Sequence, residues 1–394
     1  MATKANRITN VLFRAPKLDD QEQSVLDEIE SVKVSLRHQL NEPRRWVGAI
    51  RRQTFARNLQ GSNSIEGYDA VLEDVAAIAA GEEPLDADTE TRLALEGYRN
   101  AMTYVLQLTE EPDFLYSDQL IKSLHFMMIN YDLKSKPGLW RLGPAYVRKE
   151  STGEIVHEGA APELVPSLMG HIVTVLNTDP HLHPMVRAAM AHLNLAMIHP
   201  FKDGNGRMAR CLQSLVLARQ GTVSPVFMSI EEYLGRNTLA YYDVLAQVGG
   251  GSWNPARDSR PWVRFALTAH LRQARTILRR VKEGERLWFL LEQLAAADGL
   301  PQRCLPSVFD AALGIGVRNA TYRSAVLAEL EEEITEATAS RDLRDLVSAD
   351  VLVPRGAKRG RTYLPSKRLT ELRREAANQT GMPRDDSDPF AATP

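Results

Sequence analysis

The chain has 394 residues, enough for two or three domains with a sizeable core. Hydrophobic residues make up 44% and charged residues 25%, ordinary globular values that exclude a disordered or fibrous chain. The formal net charge of -2 means that any nucleic-acid binding must come from a local basic patch. The two cysteines, Cys211 and Cys304, exclude a disulfide scaffold and fit a reducing, cytoplasmic compartment. No stretch reaches the roughly 18 uninterrupted apolar residues of a bilayer span, so we expect no membrane contact.

The first part of the chain has helical periodicity. Apolar residues recur at three- and four-residue spacing over 19–40 and 42–59, which predicts two helices with one buried face each. Gly61-Ser62-Asn63-Ser64 then interrupts the pattern and offers N-cap residues for another short helix towards Ala80. Similar patterns predict helices over 91–108, 117–130, 261–283, 283–297 and 335–349.

The stretch 136–160 is rich in proline and glycine. Tyr146-Val147 and Ile155-Val156 lie on either side of Gly153, so two short strands around a turn are predicted. This hairpin interrupts an otherwise helical chain.

Two nearly all-apolar helices follow, over 185–198 and 208–218. Helices that are apolar on almost every side lie in the middle of a bundle. A polar loop, His199-Pro200-Phe201-Lys202-Asp203-Gly204-Asn205-Gly206-Arg207-Met208-Ala209-Arg210, joins them and runs into the second helix.

This loop has the residues of an anion site. Gly204 and Gly206 lack side chains, so backbone N–H groups can turn towards an anion, and the helix N-terminus that follows favours negative charge. Arg207 and Arg210 add two positive groups one turn apart, and Asn205 adds an amide. The pattern predicts a polyphosphate cradle.

Two further groups bring chemistry to the cradle. His199 can take a proton near neutral pH, and Asp203 can hold a divalent cation against phosphate oxygens. Together they indicate phosphoryl or nucleotidyl transfer. The alternative is a plain helix corner with solvated arginines, which the joint presence of His199, Phe201 and both arginines disfavours.

The loop resembles the Fic-domain motif His-Pro-Phe-x-[Asp/Glu]-Gly-Asn-Gly-Arg-x-x-Arg, with every fixed position filled. The resemblance extends over roughly 62–248. It implies a protein adenylyltransferase (an AMPylator), which moves AMP from ATP to a Ser, Thr or Tyr hydroxyl of a target protein. It also implies the following roles: His199 as catalytic base, Asp203 as ligand of Mg²⁺, Phe201 as a core anchor, and Gly204, Asn205, Gly206, Arg207 and Arg210 as nucleotide-binding residues.

Ser62-Asn63-Ser64-Ile65-Glu66-Gly67 is similar to the inhibitory motif of the same family, [Ser/Thr]-x-x-x-Glu-[Gly/Asn]. The resemblance implies that Glu66 pairs with Arg210 and takes the space of the γ-phosphate, with Ser62 in the same inhibitory segment. The local alternative is a capping box, in which Asn63 and Glu66 cap a helix.

Two further assignments follow from the resemblance. The hairpin takes the position of the family's flap, which holds a target segment by strand-like pairing; the alternative is an ordinary surface hairpin. Tyr241 and Tyr242 match an aromatic pair near the adenine, and core packing at helical spacing is the alternative reading.

The C-terminal part resembles a winged helix-turn-helix, with residues 335–347 as its recognition helix. The wing carries Arg355, Lys358, Arg359 and Arg361, which suit phosphate contacts. Asp342 and Asp345 on the recognition helix oppose DNA phosphate, so DNA binding and protein binding both stay open. Oligomeric state, a homo-oligomer included, stays open too.

We therefore expect a mainly α fold, a Fic-type helical bundle with a β-hairpin flap and a winged helix-turn-helix domain. The expected function is a protein adenylyltransferase inhibited by Glu66; the alternatives are a Fic-type deAMPylase and a DNA-binding regulator with a nucleotide-sensing Fic domain. The expected N-terminal helical region is 1–110, with an inhibitory helix near 62–80, and the expected catalytic core is 111–250, with a flap near 144–160. A helical linker is expected over 251–300, a winged helix-turn-helix domain over 301–375 and a disordered tail over 376–394.

Overall fold

The computed structural model describes residues 12–40, 44–148, 152–179, 181–219, 224–356, 361–381 and 387–391. Within these ranges the fold is mainly α, as predicted. The helices of the first half are α1 Asp20–Leu40, α2 Val47–Ser64, α3 Leu72–Ala79, α4 Thr89–Gln107, α5 Asp118–Ile129, α6 Val165–Thr178, α7 Pro184–Ile198 and α8 Asn205–Ala218. The later helices are α9 Pro225–Met228, α10 Glu231–Arg236, α11 Thr238–Gly249, α12 Arg260–Ala297, α13 Leu305–Ala312, α14 Asn319–Leu330, α15 Glu336–Ser348 and α16 Lys367–Thr380.

Two hydrophobic cores organise these helices. The larger core surrounds α7 and α8, which pack along each other and are buried on almost every side, as their composition predicts. The second core forms between the start of α2, the second half of α12 and the C-terminal helices. Since α12 contributes Trp262 to the first core and Trp288 to the second, it joins them.

The strands form two small sheets. The predicted hairpin is present as β1 Tyr146–Arg148 and β2 Ile155–Glu158, antiparallel with an irregularity in register after Val147. Sequence reasoning missed a third strand, β3 Gly251–Ser252, which pairs in parallel with β2. The predicted C-terminal hairpin is present as β4 Leu352–Arg355 and β5 Thr362–Pro365.

The prediction that Gly61–Ser64 starts a new helix is wrong. The four residues are the last turn of α2, and the next helix starts only at Leu72. Gly61 is inside α2 because α10 crosses there: a Cβ on Gly61 would collide with the backbone of Glu231, and one on Gly235 would lie 2.5 Å from the Cα of Gly61. The glycines permit close helix packing and do not mark a helix end.

The division of 260–297 into two helices is also wrong, because α12 is continuous. Its Gly284 lies at a close contact, where a Cβ would approach Ile50 Cδ1 to 2.6 Å. The expected linker 251–300 therefore packs into both cores. At the other end, α16 continues past residue 376 to Thr380, which corrects the predicted start of a disordered tail.

The region predicted to be a winged domain contains α13, α14, α15 and then the β4–β5 hairpin. Thr335 caps α15, its side chain accepting from the Thr338 amide. Of the wing arginines and lysines, Lys358 and Arg359 lie outside the described residues. Arg355 faces the rest of the protein, 3.9 Å from Glu73 and 3.6 Å from Asp86.

Candidate functional site

The polar loop lies between the two buried helices α7 and α8. His199 ends α7 in the left-handed conformation, with φ of 55°. Gly204, also left-handed with φ of 74°, is the N-cap of α8. Most residues with a side chain are strained in this conformation, so glycine is favoured where α8 begins. The first turn of α8 thus opens directly onto the loop.

Asn205 closes the loop from inside. Its Oδ1 accepts from the Phe201 amide at 2.8 Å, and its Nδ2 donates to the Phe201 carbonyl at 3.0 Å. The side chain is buried, so both ends of the amide are used by the protein itself. In this structure the Asn205 side chain holds the loop in shape, and its part in nucleotide binding stays a prediction.

His125, which sequence reasoning missed, supports the loop from α5. Gly138 N donates to its Nδ1 at 2.8 Å, so Nε2 is the protonated nitrogen, and it lies 2.9 Å from the Asp203 carbonyl. The ring stacks on Phe201 with 3.6 Å between centroids. Burial lowers the pKa of His125 to about 4, which keeps it neutral and able to play both parts.

His199 has one ring nitrogen engaged. Its Nδ1 lies 3.2 Å from the Ala196 carbonyl, which can only accept, so Nδ1 carries the hydrogen and Nε2 is left as the proton acceptor. Burial, with His157 and Arg141 nearby, lowers the pKa of His199 to about 4. The imidazole is therefore neutral at pH 7 and can accept a proton.

Arg141 is a second residue that the sequence did not reveal. Its side chain is buried and donates to the backbone carbonyls of His199 at 2.7 Å and Gly143 at 2.6 Å, and also to Ala160 and Ile198. These bonds fix the end of α7 against the base of the hairpin. A lone arginine in a Pro/Gly-rich stretch gives no hint of this role in sequence.

The end of α2 brings a carboxylate to the first turn of α8. Arg210 donates from Nε to Ser62 Oγ at 2.8 Å, and from Nη2 to Ser62 O at 2.8 Å and Glu66 Oε1 at 2.7 Å. Glu66 Oε1 lies so close to Gly206 that a Cβ there would collide with it. The predicted partners Ser62, Glu66 and Arg210 are therefore together.

The capping-box alternative is excluded. Asn63 lies inside α2 and its side chain donates to the Leu59 carbonyl, four residues back. Glu66 stands in the turn after the helix, ahead of the left-handed Gly67 with φ of 82°.

The plain-corner alternative is excluded as well, since Arg207 and Arg210 are each 1% exposed. Arg207 donates to the Tyr131 hydroxyl at 3.3 Å and lies 5.0 Å from the centre of the Tyr68 ring. Within the described residues, Arg207 Nε and Arg210 Nη1 are buried without a hydrogen-bond partner. Burial opposes the charge of Arg210, yet Glu66 outweighs it and raises its pKa. The site has positive charge and spare N–H groups for an anion.

The two neighbouring tyrosines, Tyr241 and Tyr242, differ in their exposure. Tyr241 is buried in the larger core, and its hydroxyl lies 2.9 Å from His192 Nε2. This burial favours the core alternative for Tyr241, whose nucleotide contact stays a prediction. Tyr242 is 40% exposed and donates to the Ile65 carbonyl at 3.2 Å, beside Glu66.

The hairpin is anchored beside His199. Ala160 N donates to the Ile198 carbonyl at 3.2 Å, and a Cβ on Gly159 would lie 3.0 Å from His199 Cβ. In the order β1-β2-β3, the outer edge on the β1 side has no strand partner among the described residues. The hairpin thus presents an open strand edge close to the imidazole.

Asp203 is an exposed carboxylate of the loop. Its Oδ1 accepts from the Gly204 amide at 2.7 Å. Among the described residues, no cluster of three or more His, Cys, Asp or Glu could hold a metal without other ligands. A single carboxylate with phosphate and water ligands is the arrangement that Mg²⁺ commonly uses, so the residues fit that ion in the presence of a nucleotide.

Comparison with known proteins supports the resemblance that the loop 199–210 carries. Residues 115–217 match the model of the Fic/DOC family. The protein adenylyltransferase Fic of Nematostella vectensis is 28% identical over 266 residues, 64% of this chain and 55% of that protein. That of Aedes aegypti is 25% identical over 286 residues, 72% and 51% respectively. The chain thus spans about half the length of these curated relatives.

The fold has counterparts among solved structures. A Fic family protein from Desulfovibrio desulfuricans G20 superposes with a TM-score of 0.56 at 20% identity, over 89% of this chain and 98% of that one. A Fic domain-containing signaling protein from Bacteroides thetaiotaomicron gives a TM-score of 0.53 at 22% identity, over 67% and 97%. The predicted Fic-type helical fold is confirmed.

Proposed function

We propose that this protein is an adenylyltransferase that transfers AMP from ATP to a hydroxyl side chain of a target protein and that Glu66 holds it inactive. The observation that carries the proposal is the position of the Glu66 carboxylate, on Arg210 and against Gly206. That is where an anion at the N-terminus of α8 would be most stable. The relatives named above carry the name protein adenylyltransferase, and none of the observations favours AMP removal or a purely DNA-binding role.

The phosphates would bind at the first turn of α8. The backbone N–H groups of Asn205 and Gly206 and the buried guanidinium of Arg207 supply donors, and Arg210 would take the terminal phosphate once Glu66 leaves. The Asn205 side chain would keep the loop in shape through its two hydrogen bonds to the Phe201 backbone. Tyr242 lies near enough to Glu66 to border the nucleotide.

His199 would serve as the general base. Its neutral Nε2 takes the proton from the incoming hydroxyl, whose oxygen then forms a bond to the α-phosphorus while the bond to pyrophosphate breaks. Asp203 would hold Mg²⁺, which when bound neutralises phosphate charge. Arg141 acts as a positioning residue, because it fixes the backbone of His199.

The open β1 edge would receive the target. An extended segment paired with Tyr146–Arg148 would pass close to His199, since the base of the hairpin touches that residue. This mode suits a hydroxyl on a flexible loop of the partner.

For the C-terminal module we propose a winged-helix architecture that contacts protein and not DNA. Asp342 is buried, pairs with Arg303 at 2.7 Å and accepts from the Tyr322 hydroxyl at 3.0 Å, so its charge does not face a DNA phosphate. However, the wing residue Arg355 faces Glu73 and Asp86 within the same protein. This orientation turns the base of the wing towards α3.

In the same described ranges, no helix is both long and apolar enough to cross a bilayer. Both cysteines are buried and unpaired, which supports a proposed cytoplasmic location.

The test is incorporation of labelled ATP into the protein itself and into a cell lysate. Glu66→Gly should raise incorporation about tenfold or more, because a charge-assisted hydrogen bond contributes about 1.5–3 kcal/mol. Asp69→Gly is the matched control: it removes one carboxylate three residues away at an exposed position. Equal incorporation in Glu66→Gly, Asp69→Gly and wild type would overturn the proposed inhibition, and no incorporation in any of them would overturn the activity.

A further inference from the structure

A second positively charged site lies far from the loop, in a cleft between α2, α10, α12 and α16. The cleft has a volume of about 1080 Å³. Eight arginines line it, against the single carboxylate of Glu283 and no lysine. Such an imbalance is unusual in a chain whose formal net charge is -2.

One face of α12 supplies half of these arginines. Spacings of three and four residues put Arg272, Arg275 and Arg279 on the same side of the helix, and Arg280 follows Arg279 directly. Arg279 is only loosely paired, since its Nε lies 3.8 Å from Glu283.

The carboxylates at the inner wall of the cleft are fewer than its guanidinium groups, since Glu28 pairs with Arg275 while Glu232 is shared. Glu232, behind the wall, accepts from Arg280 at 2.6 Å, pairs with Arg236, and lies 3.9 Å from Arg57. Burial works to raise the pKa of Glu232, but Arg280, Arg236 and the hydrogen bond from Gln273 lower it to about 2. One carboxylate therefore serves three arginines.

Arg57 on α2 is the clearest case of a cation without a close carboxylate partner, since Glu232 lies 3.9 Å away. Its Nε is buried without a hydrogen-bond partner among the described residues. Burial, reinforced by repulsion from Arg280, lowers its pKa to about 10. Placing this guanidinium among others of the same sign costs electrostatic free energy, which a bound anion would offset.

The outer wall adds two more cations from α16. Arg373 is held by the Ala312 carbonyl at 2.8 Å, and Arg374 is exposed. Burial and Arg280 lower the pKa of Arg373 as well. The cleft therefore has guanidinium groups from α2, α10, α12 and α16, around a space that can hold a ligand.

We propose that this cleft binds a small ligand that carries several phosphate groups. Planar guanidinium forks bind phosphate oxygens in pairs, and arginine holds phosphate with more defined geometry than lysine does. The volume is at the upper end of small-molecule sites, which run from about 300 to 1,000 Å³. Inorganic polyphosphate, a nucleoside tetraphosphate and a phosphorylated inositol share this chemistry.

The site is independent of the adenylyltransferase proposal, because it shares no residue with the loop 199–210. Its residue Arg57 nevertheless lies on α2, five positions before Ser62. The α2 helix also touches α10 where Gly61 meets Gly235, between the two sites.

The experiment is calorimetric titration of the full chain with tripolyphosphate, adenosine 5′-tetraphosphate and inositol hexakisphosphate. Every titration uses an Arg207→Gln background, which weakens phosphate binding at the loop. We expect binding that weakens steeply with salt, and the tightest of the three probes identifies the source of the phosphates. The double variant Arg279→Gln/Arg374→Gln should bind at least tenfold more weakly.

The matched control is Arg341→Gln/Arg344→Gln, which removes the same charge from exposed positions on α15. It should bind like the parent. If the double variant is less stable, the single Arg374→Gln at an exposed position should still weaken binding about threefold. No binding by the parent, equal binding in cleft and control variants, or tighter binding of a short single-stranded oligonucleotide than of all three probes would overturn the proposal.

Discussion

The two arginine sites of this protein meet the same physical problem in opposite ways. At the start of α8, Arg210 is buried but has a carboxylate of its own, Glu66, at 2.7 Å. In the cleft along α12, Arg57 is partly buried with its nearest carboxylate oxygen 3.9 Å away, and that carboxylate is shared with two other arginines. The first site must lose an internal anion before it can bind another, whereas the second is ready for a ligand.

The same residue type can therefore indicate either a controlled site or an open one. A buried cation paired within the chain costs free energy to release, so binding there depends on a conformational step. A buried cation that is poorly paired gains directly from an external anion. What distinguishes the two sites is the distance from each guanidinium to the nearest carboxylate.

The largest expected effect comes from removing the base while both anion sites stay intact. In the Glu66→Gly background, His199→Ala should lower labelled-AMP transfer by about 10²–10⁴-fold, the usual contribution of a general base. Binding of ATP and of tripolyphosphate should change little, as calorimetry can check. Transfer at an undiminished rate would show that the proton goes elsewhere.

A smaller loss is expected when the support of His199 is removed. Arg141→Gln leaves buried carbonyls of His199 and Gly143 without their donor, so it should destabilise the protein by about 3 kcal/mol in urea unfolding. Arg148→Gln is the control, since that exposed side chain has a single bond to the Gly153 carbonyl and should cost less than about 0.5 kcal/mol. Equal losses would mean that Arg141 does not hold α7. Phosphate binding in the cleft should be unaffected by either change.

The smallest of these effects probes the contact that lies between the two sites. Gly61→Ala inserts a methyl group against the backbone of Glu231, and such overpacking costs about 1–3 kcal/mol. Gly170→Ala, inside α6 with open space around it, should instead stabilise by about 0.5–1 kcal/mol. Urea unfolding of the two variants measures the difference. If both were stabilised, the close approach of α2 and α10 would be disproved.

The sequence predicted well what is local. The helices α7 and α8, the hairpin and the loop 199–210 follow from periodicity, turn residues and a long motif, and each is present. The pairing of Glu66 with Arg210 was also expected, because the short motif at Ser62 resembled a known inhibitory segment.

What sequence reasoning missed depends on contacts between distant residues. Gly61 was read as a helix break and a helix boundary was expected near residue 283, yet Gly61 and Gly284 are both inside helices at points where another element comes too close for a side chain. The roles of Arg141 and His125 are set by backbone carbonyls that only the fold brings near. From the sequence, the Tyr241 side chain could point to the core or to the nucleotide site, and in the structure it packs into the larger core.

The central claim is that the Glu66 carboxylate and the terminal phosphate of ATP compete for Arg210. Crystal structures of the wild type and of Glu66→Gly, each soaked with ATP and Mg²⁺, test it most directly. We predict that the terminal phosphate contacts Arg210 only in the variant, with the α-phosphorus then facing His199 Nε2. A wild-type structure in which Glu66 remains on Arg210 while the phosphates lie as they do in the variant would contradict the account.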